Sequence, residues 1–177
     1  MNCRGIRRHW AACPSPRSLA SYPKGKASGG FRRGGIRLIA HTICNGRPLF
    51  AYGSLMFPAI IKSVIGRVPE GRPAIIKCYR RLVVAGEFFP GLIRLSDESA
   101  ESVEGLVYVD ITNEEWETIV AFEDDFYELT EVAVDRLGES LSALAFVVPP
   151  AKKSLLADEV WNPDQFRDSL LRCWADR

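Results

Sequence analysis

Residues 49–58 read LFAYGSLMFP, and the parsing of this stretch decides the fold. Leu49 to Tyr52 make an apolar run of strand length, and Gly53-Ser54 interrupts it before Leu55 starts another. Both interrupting residues favour turns, so a buried strand is expected to end at Tyr52. Pro58 then stands where a helix accepts proline, in its first turn. Ile60, Ile61, Val64 and Ile65 follow at helical spacing, and Gly66 closes the segment. A strand–turn–helix of this kind offers successive backbone N–H groups near a helix start, which suits a carboxylate or a developing oxyanion. Gly53 would permit close approach or positive φ, and Ser54 could donate or accept a hydrogen bond. Alone, such a loop is weak evidence, because most Gly-Ser turns before helices are only turns.

Working outward, residues 74–79, 81–85 and 92–95 read as strands rich in β-branched residues, punctuated by Gly86 and Pro90-Gly91. Residues 103–111 make the clearest strand, with Val103, Val107 and Val109 expected on one face. Thr112 and Glu115 have the spacing of a capping box, so a helix is expected over 113–123. Residues 126–136 and 142–148 look like closing strands. Pro149-Pro150 and a polar loop lead to Asn162-Pro163, which start a last helix through Phe166, Leu170, Cys173 and Trp174. Strands in mostly consecutive order, with few helices between them, argue for α+β and against a doubly wound parallel sheet.

The chain has 177 residues, 47% hydrophobic and 25% charged, which fits one globular domain. No apolar run reaches the roughly 18 residues a membrane span needs, so no membrane partner is expected. Charge is unevenly spread. The first 49 residues carry ten Lys or Arg and no acid, and the first acidic residue is Glu70. Residues 1–46, rich in Arg, Gly and Ser, are therefore expected to form a disordered basic extension, and 47–177 the folded domain. Deleting residues 1–45 is expected to leave folding and turnover intact. The extension resembles an organelle transit peptide; the other reading is an unselected extension from a start site placed too far upstream. A cytoplasmic location is expected, or an organelle if the extension acts in targeting. No nucleic-acid motif accompanies the basic residues, so no nucleic-acid partner is expected.

The five cysteines, at 3, 13, 44, 78 and 173, form no CxxC pair and no zinc spacing. Such a scattered, odd set suits free thiols in a reducing compartment, and Cys78, in a strand, is expected to be inert. His9 and His41 both lie in the extension, which argues against a histidine triad or metal site. The acidic stretch 114–128 matches no calcium loop. No metal and no cofactor is signalled, and oligomeric state is not set by these features. Tyr79 and Tyr108 are expected to be core residues.

One carboxylate stands out. Trp116, Ile119 and Val120 mark the buried stripe of the 113–123 helix, and Glu123, seven residues after Trp116, falls in the middle of it. A carboxylate aimed at a core costs free energy unless it is paired, protonated or reached by a cavity. Alternatively the helix ends a residue early and Glu123 caps a solvated acidic turn with Asp124 and Asp125. Pattern alone favours this second reading.

Taken together, Tyr52-Gly53-Ser54-Leu55 after an apolar strand, then Phe122-Glu123 and Tyr127, resemble the gamma-glutamylcyclotransferase-like family, most nearly its plant avirulence-induced branch. Further matching stretches are Arg67-Val68-Pro69, Cys78-Tyr79-Arg80, Phe89-Pro90-Gly91 and Ala121-Phe122-Glu123-Asp124. The resemblance covers about residues 48–176 and none of the N-terminal segment. It departs from the family pattern before and after Phe122-Glu123, where Leu-Asp and Gly are common, and at Leu129, where Arg is common.

The resemblance implies a small mixed β-barrel with flanking short helices and a ligand cavity at one end. It implies that Tyr52, Gly53, Ser54 and Leu55 hold a glutamyl group, that Glu123 is the catalytic acid/base, and that Tyr127 lines the cavity as a hydrogen-bond donor. The family reaction is intramolecular cyclisation of a γ-glutamyl compound to 5-oxoproline with release of an amine or amino acid, without a cofactor. Burial beside Trp116 and Ile119, with Asp124 and Asp125 adjacent, would lift the Glu123 pKa toward neutrality. The rival expectation is a non-catalytic small-molecule-binding or interaction protein on the same fold.

Overall fold

The first strand is apolar on both faces because both faces are covered. In the computed structural model, which describes Cys44 and residues 46–168, strand β1 (Leu49–Ala51) sends Phe50 into one core and Leu49 and Ala51 into another. Phe50 packs with Ile76, Val107, Val134 and Ala143 inside a closed barrel. Leu49 and Ala51 meet Ile60, Ile61, Trp116 and Ile119 under the helices. The chain then makes a 3-10 turn (Ser54–Met56) and helix α1 (Pro58–Ile65), with Pro58 in the first turn and Gly66 as its left-handed cap.

Seven more strands follow: β2 (Gly71–Lys77), β3 (Tyr79–Val84), β4 (Pro90–Arg94), β5 (Ser102–Tyr108), β6 (Glu128–Arg136), β7 (Glu139–Val147) and β8 (Leu156–Val160). Helix α2 (Asn113–Phe122) lies between β5 and β6, and a second 3-10 turn (Pro150–Leu155) precedes β8. Residues 163–168 are helical, with Asn162 Oδ1 accepting from the Asp164 N–H at 2.8 Å. The barrel runs in the order β1-β5-β2-β6-β7 and is mixed. β1 is antiparallel to β5, Leu49 opposite Tyr108, and parallel to β7, Leu49 opposite Leu144. The expected α+β architecture, a small mixed barrel flanked by short helices, is the one found. It is joined by a second sheet, β4-β3-β8, which the sequence did not announce.

Gly105 shows how tightly the barrel closes. A Cβ there would stand 2.4 Å from the Ala51 carbonyl and 2.7 Å from the Phe50 ring, so only glycine lets β5 lie against β1. Helix α2 starts with the capping box read from sequence: Thr112 Oγ1 accepts from the Glu115 N–H at 3.3 Å, and Glu115 Oε2 from the Thr112 N–H at 2.9 Å. Arg67, just beyond α1, grips Glu115 and also Asp110 at 2.9 Å. This fork pins the end of α1 to the start of α2.

Four local expectations are corrected. Cys78 is not within a strand: it adopts φ 62° at the corner where the chain leaves the barrel for the second sheet. Val109 lies past the end of β5 and is 38% exposed, apart from buried Val103 and Val107. The polar loop after Pro149-Pro150 contains the 3-10 turn and β8. Cys44, assigned to the extension, is fully buried in the core beneath the helices. The remainder of the extension, including Cys3, Cys13, His9 and His41, and the readings at Leu170, Cys173 and Trp174 lie outside the described residues. Among the described residues no helix is long and apolar enough to cross a membrane.

Candidate active site

The residue after β1 and the residue that caps α2 act on one another: the Glu123 charge bears on Tyr52. Tyr52 leaves β1 with its ring in the barrel core, and its hydroxyl donates to the Phe146 carbonyl of β7 at 2.6 Å. Gly53 follows with φ −126°, so it is needed for space and not for a left-handed backbone. A Cβ there would come within 2.8 Å of Pro90 Cγ. Pro90 in turn presents its carbonyl to the Tyr127 hydroxyl, which donates to it at 2.8 Å. The Tyr127 ring faces Phe146 edge-on, with 6.4 Å between centroids. Tyr52, Gly53, Pro90, Tyr127 and Phe146 therefore form one connected cluster.

The turn itself is tied down from its carbonyl side. The Met56 N–H donates to Gly53 O at 3.0 Å and the Phe57 N–H to Ser54 O at 3.1 Å. Tyr108 Oη donates to Leu55 O at 2.9 Å. A 3-10 turn has no internal partners for its leading N–H groups, here those of Ser54 and Leu55. Leu55 contributes its side chain to the core beneath the helices, so only its backbone is available to a ligand. Ser54 is partly exposed beside it.

Helix α2 ends at Phe122, one residue earlier than expected, and Glu123 is its extended C-cap, with its N–H donating to Ile119 O at 3.1 Å. Despite the early ending, Glu123 stays half-buried. Burial pushes the Glu123 carboxyl up to about 8, with the neighbouring Asp124 charge acting in the same direction. Asp125 bears on Asp124, not on Glu123. Burial first, and the Glu123 charge second, hold the Tyr52 phenol well above its usual range. Tyr127 is raised likewise by burial, then by Tyr52, Glu123 and Asp124. Glu123 thus shares a low-dielectric neighbourhood with both tyrosines, and both phenols stay neutral.

Of the six residues singled out from sequence, Tyr52, Gly53 and Tyr127 meet around Pro90 and Phe146, the Glu123 charge bears on both tyrosines, and Ser54 and Leu55 supply the adjoining backbone. In this state the one proton of each phenol is already committed, to Phe146 O and Pro90 O. Tyr79 and Tyr108 are core residues as expected. Two surface clefts lie apart from Glu123: about 530 Å³ beside Glu70, Arg72 and Arg136, and about 270 Å³ beside Arg80, Arg81 and Glu104. Among the described residues no three His, Cys, Asp or Glu side chains group in a way that could hold a metal ion.

Sequence reasoning missed Arg81. Its Nη1 donates to the Tyr52 carbonyl at 2.7 Å, and its guanidinium lies 4.9 Å from the centre of the Trp161 ring. Strand alternation was the available signal, since it puts Arg81 on the face of Val83, toward the helices, while Arg80 faces outward to Glu101.

Known proteins give this arrangement a context. A family model described as "Gamma-glutamyl cyclotransferase, AIG2-like" matches residues 49–163. From Arabidopsis thaliana, AIG2-like protein D is 29% identical over 102 residues, taking in 56% of this chain and 65% of that protein. AIG2-like protein B, from the same plant, is 34% identical over 92 residues, 52% of each. The chain thus spans between about half and just under two thirds of the length of these relatives. Among solved structures, an A. thaliana protein determined in solution aligns with a TM-score of 0.57 at 21% identity, over 73% of this chain and 78% of that one. A yeast gamma-glutamyl cyclotransferase specific to glutathione aligns with a TM-score of 0.52 at 15% identity, over 75% of this chain and 88% of that one. At these identities the structural likeness is one of fold.

Proposed function

Because the chain belongs to the gamma-glutamyl cyclotransferase, AIG2-like family, we propose that it cyclises a γ-glutamyl compound to 5-oxoproline and releases an amine or amino acid. The observation that supports this most is Glu123, a carboxyl lifted to about 8 at the barrel end that carries Tyr52 and Gly53. The α-amine of the substrate attacks its own γ-carbonyl, so nucleophile and electrophile arrive in one molecule. Holding the folded conformer then supplies much of the rate. The attacking nitrogen loses a proton and the departing nitrogen gains one. A single carboxylate within reach of both takes the first as base and returns it as acid, and a pKa near 8 suits both halves of that exchange.

The backbone N–H groups of Gly53, Ser54 and Leu55 are the donors in this reading, directed at the substrate carboxylate or at the tetrahedral oxyanion. Tyr52 and Tyr127, each held on a carbonyl, wall the site and keep its dielectric low. The substrate is a small molecule, and the chemistry needs no cofactor.

The test is incubation with γ-glutamyl amines, γ-glutamyl dipeptides and glutathione, followed by assay of 5-oxoproline. At least one substrate should yield it, and Glu123→Gln should lower turnover by roughly a hundred- to ten-thousand-fold. Equal traces from both proteins would favour a non-catalytic binding protein on this fold. A new conjugate without 5-oxoproline would point to acyl transfer to an external acceptor.

A further inference from the structure

We infer that Arg81 is a positioning residue for the turn at Gly53: its guanidinium fixes and polarises the Tyr52–Gly53 peptide so that the Gly53 N–H is aimed at the anionic group of the bound molecule. This deepens the cyclotransferase reading and rests on it. Arg81 is held from several sides. Nη1 donates to the Tyr52 carbonyl at 2.7 Å and lies 3.3 Å from the Glu104 carbonyl and 3.9 Å from Met56 Sδ. The Trp161 ring lies against the guanidinium at 4.9 Å, and the Trp161 Nε1–H is itself anchored on Phe88 O at 2.7 Å. Arg81 Nε is buried without a hydrogen-bond partner among the described residues.

Among the described residues, Arg81 has no carboxylate as a hydrogen-bond partner. A structural arginine on a strand is ordinarily satisfied by an acid, as Arg80 next door is by Glu101. Arg81 spends its buried charge on backbone carbonyls, and the shortest of those bonds is to the one belonging to the candidate site. Leaving Nε bare in a buried setting carries a cost, so the geometry at Nη1 is retained against an unfavourable local term.

The consequence for Gly53 follows from peptide geometry. The described chain has no cis peptide bonds. In a trans peptide the N–H points opposite to the C=O, so the group that holds the Tyr52 carbonyl also sets the direction of the Gly53 N–H. A cation bonded to that carbonyl draws electron density through the amide and strengthens the N–H as a donor. Trp161 keeps the guanidinium in place from the far side. The alternative orienting group, a left-handed glycine, is absent, since Gly53 sits at φ −126°.

The test uses the full chain, with Arg81→Lys and Arg81→Met beside wild type. Lysine keeps the charge but not the planar fork stacked on Trp161; methionine keeps the stem alone. The Gly53 amide resonance in a 15N-labelled sample should move upfield in Arg81→Met and less so in Arg81→Lys. The Glu123 amide should stay within the spread of the remaining resonances. The kcat/KM for 5-oxoproline formation should fall at least about tenfold in Arg81→Met, with partial recovery in Arg81→Lys. Should Arg81→Met not fold, slow exchange and protection of the Arg81 guanidinium protons in wild type decide the point, because a carbonyl-bound fork is protected and a solvated one is not. Inactive wild type with a shifted Gly53 amide would sink the cyclotransferase reading and leave the positioning role standing. Active Arg81→Met within twofold of wild type, or an unmoved Gly53 amide, would overturn the role of Arg81.

Discussion

At the scale of single residues, Glu123 gives the sharpest expectation. Its carboxyl titrates near 8 against an ordinary 4.5, first through burial and then through Asp124. In the proposed reaction the base form of Glu123 grows as pH rises through about 8, and kcat/KM should climb with a midpoint there. Asp124→Asn removes the second cause and should move the midpoint downward; a pH–rate profile unchanged by this substitution would contradict the assignment. Stability runs the other way. A carboxyl whose folded pKa is raised contributes stability that is full below 4.5 and lost as pH rises through about 8. Glu123→Gln should accordingly gain most in urea denaturation above pH 8. The seven-residue spacing to Trp116 raised an inward aim for Glu123, but pattern alone favoured an early helix end, and the helix does stop at Phe122. The half-buried place of Glu123 beside Tyr52 and Tyr127 was not legible, because those residues approach it only in three dimensions. Arg81 was hidden for a related reason: two adjacent arginines on a strand differ only by the face they take.

At the scale of elements, the strands with strong β-branched alternation, the capping box of α2 and the proline start of α1 were all readable, because each is specified locally. β8 was not. Its burial pattern is mostly exposed, and it pairs with β3 at Leu82–Val160 and Val84–Leu156 across an irregularity, so no periodicity marks it. The β6–β7 hairpin carries a correctable fault. Its two-residue turn places both Leu137 (φ 55°) and Gly138 (φ 86°) in the left-handed region, and Leu137 is 93% exposed. Such turns favour Asn-Gly, and a leucine there is strained without any packing in return. Leu137→Asn should raise stability by roughly 1 kcal/mol with activity unchanged. A fall in the urea midpoint would show that the leucine has a partner.

At the scale of the whole molecule, the shift in charge after residue 49 marks off a basic segment, but composition gave no sign that Cys44, inside it, is packed into the core. Cys44 is 0% exposed among Leu49, Ile61 and Trp116, burial pushes its thiol up to about 11, and its carbonyl accepts from the Arg47 N–H at 2.9 Å. We therefore expect removal of residues 1–43 to leave the unfolding midpoint in place. Removal of residues 1–45 should lower stability by about 1–2 kcal/mol, the loss of one small buried side chain. Thermal melts of the two truncations check this, and equal midpoints would mean that Cys44 adds nothing to the core.

The parallel seam between β1 and β7 has a kinetic consequence. Every other ladder in the barrel joins strands that run antiparallel, whereas this one brings residue 49 against residue 144 across most of the domain. Contacts so distant along the chain are entropically the hardest to close during folding. Tyr52 reaches the Phe146 carbonyl only once that seam is shut. The Tyr52–Phe146 bond is therefore made in the same event that completes the barrel, and a chain caught before it lacks the wall that this bond holds in place.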